Sequence, residues 1–366
     1  MSEATPLARQ LAERIAQSGP IDVADYFAAC LNDAEHGYYR RQPAIGREGD
    51  FITAPEISQI FGELIGLWCA VVWQQMGTPT TVRLIELGPG RGTLMRDALR
   101  AARLVPGFRA ALRVELVEIN EHLIAMQRAT LAGAEVSIRW THALEPGDGA
   151  AIVIGNEFLD TLPISQLVFT DGVWRRRLVG LDAAGALAFT TGEPAEAALA
   201  ATAPQAPGDG DIFESRGAAL TAFAAALAQA GDPLAALFID YGHPKPACGD
   251  TLQALSAHRY ADPLGSPGEH DLTSQVDFSS VADAMRAHGL ACDGPVTQAE
   301  FLGRLGVVER ASRLMTANSS RAAEIEGAVS RLIAPGGMGT RFLALGARSH
   351  GLQPLPGLEG VESRGA

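Results

Sequence analysis

The chain has 366 residues, 47% hydrophobic and 19% charged, an ordinary globular balance with room for one large domain or two lobes. Its formal net charge of −13 argues against non-specific nucleic-acid binding, which depends on Lys and Arg neutralising phosphates, and against an anionic membrane surface. Cys30, Cys69, Cys248 and Cys292 are scattered without a C-x-x-C pair, so neither a zinc knuckle nor a disulfide framework is expected, and no metal site.

Helical spacing of Leu7, Leu11 and Ile15 predicts a first helix over Thr5 to Gln17, ended by Gly19-Pro20. Ile21 to Leu31 reads as a second helix. Arg40 to Thr53, rich in Gly and charge, reads as a loop, and Pro55 to Met76 as a long apolar helix with Pro in its first turn. Strands are then expected at Val82–Leu87, Leu112–Glu118, Glu135–Trp140 and Ala151–Gly155, with helices between the first three. Gln166 to Thr191 offers two or three strands around a hairpin signal, Asp171-Gly172. Ala195 to Gly210 reads as a flexible link, Gly217 to Ala230 as a helix and Leu234–Tyr241 as a fifth strand. Pro244 to Gln275 is long and poor in regular signals. A helix over Asp277–His288, a strand over Ala291–Thr297, helix with short breaks over Gln298 to Ile333 and a last strand over Arg341–Ala347 complete the pattern. The Pro/Gly-rich tail after Ser349 is expected to be disordered. Alternating strands and helices of this kind predict a doubly wound parallel sheet, with ligands at its carboxyl edge.

No apolar run approaches a membrane span, and there is neither a basic n-region before an apolar core nor an Arg- and Ser-rich presequence. A cytoplasmic bacterial protein without membrane insertion is expected. The apolar N-terminal helices can pack internally or at a homodimer interface.

The run Glu86-Leu87-Gly88-Pro89-Gly90-Arg91-Gly92-Thr93 follows the first strand. Its glycines allow a sharp turn and close approach to a ligand, and the helix beyond offers free N–H groups. The spacing is G-x-G-x-G rather than the G-x-G-x-x-G of dinucleotide sites. Glu86 would repel a phosphate but could hold an ammonium, which suits S-adenosyl-L-methionine (SAM). Glu118 ends the second strand thirty positions after Gly88, where a carboxylate can accept both ribose hydroxyls. Trp140 and Ala143 could border the adenine, or Trp140 could simply be core.

Other blocks give the order more meaning. They are His36-Gly37-Tyr38-Tyr39, Ile45-Gly46-Arg47-Glu48-Gly49-Asp50 through Gln59, Val117-Glu118, Asn156-Glu157-Phe158-Leu159-Asp160, and Asp240-Tyr241-Gly242-His243. In this order the chain resembles the MidA family of SAM-dependent methyltransferases, from about Leu7 to about Arg348. The resemblance implies a class I seven-stranded, Rossmann-like α/β core with a mainly helical second lobe and a β-hairpin insertion. The mitochondrial member of that family is a complex I assembly factor that makes symmetric dimethylarginine on a core subunit. The implied divisions are an N-terminal helical segment with a cofactor-covering loop (1–76), a core (77–165, 231–243 and 277–348), insertions forming the substrate lobe (166–215 and 244–335) and a tail (349–366).

In the resembled family the Gly46–Glu56 segment folds across SAM, which makes Gly46, Gly49, Asp50, Thr53 and Glu56 candidate cofactor contacts. Thr53 and Glu56 also fit a capping box for the Pro55 helix. Asn156, Glu157 and Asp160 follow the fourth strand, where substrate contacts gather. Amide and exocyclic-amine N-methyltransferases tend to carry Asn-Pro-Pro-Tyr there; two carboxylates instead suit a guanidinium, which presents a planar cationic fork. His243 could accept the released proton or be merely exposed. Tyr38 and Tyr241 could face a cation or serve packing. The reading that follows is a protein arginine N-methyltransferase whose partner is an arginine-bearing protein, by resemblance a complex I subunit. A methyltransferase of a small cationic molecule and a SAM-binding assembly chaperone need the same cofactor site.

Overall fold

The computed structural model describes residues 4–40, 53–256 and 259–359. Seven strands form the main path of the central sheet: β1 (Val82–Leu87), β2 (Leu112–Val117), β3 (Ser137–Thr141), β4 (Ala151–Asn156), β5 (Leu234–His243), β6 (Ala291–Thr297) and β7 (Phe342–Arg348); a two-residue strand, Val276–Asp277, pairs parallel with the end of β5. Their spatial order is β6-β7-β5-β4-β1-β2-β3. β1 to β5 run parallel, and β7 is antiparallel to both β5 and β6. β1 and β4 are buried along almost their whole length, which explains their unbroken apolar runs. From β1 the chain winds outward through β2 and β3, then returns to place β4 on the other side of β1. That reversal opens a crevice beyond the carboxyl ends of β1 and β4.

The helices that matter for the site are α1 (Pro6–Ser18), α2 (Val23–Asn32), α3 (Ala54–Ile57), α4 (Gln59–Gln75), α5 (Thr93–Ala102), α6 (Glu121–Thr130), α7 (Gly217–Ala228) and α8 (Phe278–Ala287). The expected single helix from Pro55 to Met76 is two. Ser58 is extended, with φ −153° and ψ 132°, and its hydroxyl accepts from the Ile60 N–H to start α4. α4 is buried nearly all round and lies hard against α5. A Cβ at Gly66 would fall 2.5 Å from the Ala98 carbonyl oxygen, so only glycine lets the two helices approach this closely.

Several segments pack differently from expectation. Helices Gln298–Arg304, Val307–Ala317 and Ala322–Ile333, which fall in both the core and the insertion ranges given above, bury Phe301, Leu302, Val307 and Leu332 in the same apolar cluster as Val82 and Leu84. The tail is ordered as far as it is described: Leu355 and Leu358 are fully buried, and Trp68 Nε1 donates to the Pro356 carbonyl at 2.9 Å. The expected flexible link near 195–210 carries a short helix, Ala197–Ala200, and Ala203 packs with Trp174 and Phe213. In the tail and the link, scattered apolar residues within Ala-, Pro- and Gly-rich text find a partner that sequence proximity does not reveal.

The second lobe is richer in strands than expected. Ile21–Asp22, Ser165–Thr170, Val173–Leu181, Leu187–Pro194 and Ile212–Ser215 form one sheet. Asp171 (φ 53°) and Gly172 (φ 77°) make the hairpin turn between the second and third of these, both left-handed as a two-residue I′ loop requires. The stretch after Pro244 forms a three-stranded sheet, Gln253–Ser256, Arg259–Ala261 and Asp271–Thr273. α1 and α2 bury Leu7, Leu11, Ile15 and Phe27 against Ile164, Val179 and Leu272, so these apolar faces pack internally. Cys30 and Cys69 are buried free thiols; Cys248 and Cys292 are partly exposed ones.

Candidate active site

β1 delivers Glu86 and then the glycine turn to the crevice. Gly88, Gly90 and Gly92 have φ of 59°, 53° and 78°, a conformation that side chains resist. The Gly88 N–H donates to the Val117 carbonyl at 3.1 Å, which ties the turn to the end of β2. Glu86 is 3% exposed, and its Oε2 has no hydrogen-bond partner among the described residues. Burial raises its carboxyl to about 8. A buried carboxylate left without a donor is a site waiting for a cation. The amino group of SAM is such a cation.

Glu118 follows β2 and is buried. Its Oε1 accepts from the Ile119 and Asn120 N–H groups, each at 2.9 Å, and its Oε2 from Gln127 Nε2 at 3.1 Å. Desolvation raises its pKa despite these donors. Trp140 spends its indole N–H on Gln127 at 2.9 Å, and the Arg128 guanidinium lies 4.1 Å from its ring centroid. Ala143 is exposed.

The wall opposite the glycine turn is the end of β4. Thr53, Pro55, Glu56, Glu86, Gly88, Gly90, Asn156 and Glu157 all line one cleft. Glu157 is held at φ 52°, left-handed for a non-glycine residue. Backbone of this kind costs about 1–3 kcal/mol and gathers at functional sites. Its N–H donates to the Ile239 carbonyl at 2.8 Å, which anchors the strained turn to β5. Oε1 accepts from the Ala54 N–H at 3.2 Å and from Asn156 Nδ2 at 3.1 Å. Burial, with the charge of Asp160 second, raises the Glu157 carboxyl to about 7.

Asp160 lies in the short turn Leu159–Thr161 and is 8% exposed. Its Oδ2 accepts from the Tyr241 hydroxyl at 2.6 Å and from Thr273 Oγ1 at 2.8 Å, while Oδ1 is buried without a partner among the described residues. Behind it, the fully buried Asp240 accepts from the Asp160 N–H at 3.1 Å, and burial followed by repulsion from Asp160 and Glu157 raises its pKa well above the ordinary value. The cation that faces this group is Arg216, itself buried. It donates to the Gln275, Ser274 and Asp160 carbonyls and to Ser274 Oγ. Desolvation lowers its pKa, with Asp160 the largest opposing influence. Asp160 and Asp240 thus share the field of one guanidinium, with Glu157 beside Asp160, and the excess acid suits a second cation.

Some expectations change here. Thr53 caps α3 by position only; its side chain makes no capping bond, and Glu56 instead accepts from the Thr93 hydroxyl at the start of α5. The predicted capping box is therefore absent, and Glu56 ties α3 to the helix after the glycine turn. His243 lies in a separate depression with Glu214, Thr251 and Asp277, its Nδ1 against the Lys245 carbonyl. It does not line the cleft that holds Glu157. Tyr38 is buried edge-on to Tyr39, and Tyr241 packs its ring against Phe342 while its hydroxyl donates to Asp160. Gly46, Gly49 and Asp50 lie outside the described residues. Sequence reasoning missed Arg216, Thr273 and Gln127. Only Gln127 carried a signal, a polar residue on the apolar face of α6 beside Leu123 and Ile124.

A family model of S-adenosyl-L-methionine-dependent methyltransferases matches residues 64–296. The chain belongs to this family, the MidA family to which its motifs point. The protein arginine methyltransferase NDUFAF7, mitochondrial, of Danio rerio is 34% identical over 91% of this chain and 85% of its own length. The Homo sapiens protein of the same name is 34% identical over 92% and 82%. Among solved structures, a Burkholderia thailandensis superfamily member bound to S-adenosyl-homocysteine is similar with a TM-score of 0.87, at 29% identity over 96% of this chain and 94% of that one. This methyltransferase is SAM-dependent, and the orphaned carboxylate of Glu86 and the left-handed glycine turn fit that cofactor. The curated relatives are named mitochondrial, which overturns the cytoplasmic placement expected above. Composition alone does not fix compartment.

Proposed function

We propose that this methyltransferase acts on arginine in a protein, and that the protein is a core subunit of respiratory complex I met during assembly. The observation that carries the reading is the acid cluster at the end of β4. Glu157 lines the cleft shared with the glycine turn, and it and Asp160 each have one carboxylate oxygen without a hydrogen bond among the described residues. Two such oxygens suit the N–H fork of a guanidinium. The names of the curated relatives support arginine as the acceptor. The complex I subunit rests on the family resemblance.

Bound SAM supplies an electrophilic methyl group. The pocket's residues orient the acceptor: Glu157 and Asp160 pair with the guanidinium N–H groups and leave one terminal nitrogen facing the cofactor side of the cleft. As the new N–C bond forms, the C–S bond breaks with its electron pair on sulfur, and a proton leaves nitrogen. Glu157, which lines the cleft and has one oxygen free of hydrogen bonds among the described residues, is placed to accept that proton. Fixed orientation of this kind can contribute about 7–11 kcal/mol.

The test is methyl transfer from labelled SAM to an arginine peptide from the complex I subunit, beside the same peptide with citrulline or lysine. Transfer to arginine alone supports the reading. Equal transfer to the neutral citrulline isostere would sink it. Transfer only to free cationic metabolites would move the assignment to a small-molecule enzyme.

A further inference from the structure

Gln127 on α6 is fully buried and does not line the cleft. Its Nε2 donates to the Gly90 carbonyl at 2.8 Å and to Glu118 Oε2 at 3.1 Å, and its Oε1 accepts from Trp140 Nε1 at 2.9 Å. The amide orientation is forced: a carbonyl and a carboxylate only accept, and an indole N–H only donates. One side chain therefore joins the glycine turn after β1, the carboxylate after β2 and the aromatic ring of β3. The turn also rests on it: a Cβ at Gly92 would lie 3.5 Å from Gln127 Cα. Glu118 Oε1 is committed to two main-chain N–H groups, so Oε2 is the oxygen with more capacity left, and Gln127 fixes its direction.

We infer that Gln127 is a positioning residue of the cofactor site: it locks the Gly90 carbonyl and the Glu118 carboxylate into the arrangement that receives the nucleoside of SAM. The inference rests on the reading of Glu118 as the ribose acceptor. Gln127 touches neither the cofactor nor the acceptor arginine, so its effect falls on cofactor affinity and not on methyl transfer at saturation. Replacing it takes the partner from one buried acceptor, Glu118 Oε2, and from a part-buried acceptor and donor, the Gly90 carbonyl and Trp140 Nε1. Trp140, which orients the amide, acts through the same residue.

The experiment is calorimetric binding of S-adenosylhomocysteine and its 2′,3′-dideoxy analogue to full-length wild type, Glu118→Gln, Gln127→Met and Trp140→Phe, with kcat at saturating SAM. Gln127→Met is expected to weaken S-adenosylhomocysteine by roughly 5- to 150-fold, the range for unsatisfied buried polar groups, with kcat little changed. Removing the ribose hydroxyls should cost the wild type more than it costs Gln127→Met, because the two changes remove one shared interaction. Trp140→Phe should show the same coupling with a smaller loss, which keeps the inference testable if Gln127→Met fails to fold. Unchanged affinity in a folded variant, or an equal hydroxyl cost in wild type and variants, would overturn the role of Gln127. A wild type indifferent to the hydroxyls, with normal binding in Glu118→Gln, would overturn the ribose reading and the inference with it.

Discussion

The main-chain N–H of Ala54 donates to Oε1 of Glu157 across 3.2 Å, joining segments 103 residues apart. The start of α3 is thereby docked onto the turn that carries the acidic pair. The Asn156 amide holds the same oxygen, so the other oxygen of Glu157 is left to the cleft. A segment outside the sheet thus helps to build the site at its edge.

Glu157→Gln should bind SAM as wild type does and lose methyl transfer by at least about 100-fold, since general acid–base groups typically contribute 10²–10⁴-fold. Glu157→Gly should lose turnover as well. It should also match or exceed wild-type stability in urea unfolding, because glycine relieves a left-handed residue of about 1–2 kcal/mol. Full turnover in Glu157→Gln would remove the residue from catalysis, and marked destabilisation of Glu157→Gly would show that its side-chain bonds outweigh the strain.

Gly90→Val should abolish SAM binding while the protein still folds. Gly90 lines the cleft at φ 53°, and a β-branched side chain is strained there as well as obstructive. Unchanged calorimetric affinity in a folded variant would contradict this placement of the cofactor.

Burial raises Glu86 to about 8 and Glu157 to about 7 from an ordinary 4.5. Between the ordinary and the raised values the folded state binds more protons than the unfolded one, so stability is greatest at low pH and falls as pH rises through the raised values. The unliganded protein should therefore lose thermal stability between about pH 5 and about pH 7.5, and Glu86→Gln should flatten that slope. Saturating SAM should reduce it too, since its ammonium favours the ionised carboxylate. An unliganded protein whose stability rises over this range would contradict the burial of these acids without cations.

Arg216→Met should destabilise the fold by about 3–5 kcal/mol, the range for removing one partner of a buried charge cluster. Asp160, Asp240 and the Ser274 and Gln275 carbonyls would all lose their shared cation or donor. Urea unfolding measures the change, and a loss below about 1 kcal/mol would show that Arg216 contributes little.

The sheet was legible because β1, β4 and β5 are buried runs whose composition needs no tertiary knowledge. Glu86, the glycine turn and Glu157 were legible because they follow such strands directly. Arg216 was not, since it lies in text that reads as an ordinary helix start, and only the fold brings it to Asp160 across 56 residues. Thr53 and Glu56 misled for a related reason: their spacing fits a local cap, but Glu56 bonds Thr93, 37 residues away. The tail misled because Leu352, Leu355 and Leu358 are spaced among Pro and Gly without helical or strand period, yet find the core. Local patterns were readable, and contacts between distant segments were not.

Arginine methylation of a complex I subunit is tested most directly by incubating the purified protein with labelled SAM and extract from a strain lacking its gene, then locating the label by mass spectrometry. The expected result is label on an arginine of one complex I core subunit, lost with Glu157→Gln. Label confined to small molecules, or none while SAM binding is intact, would contradict it.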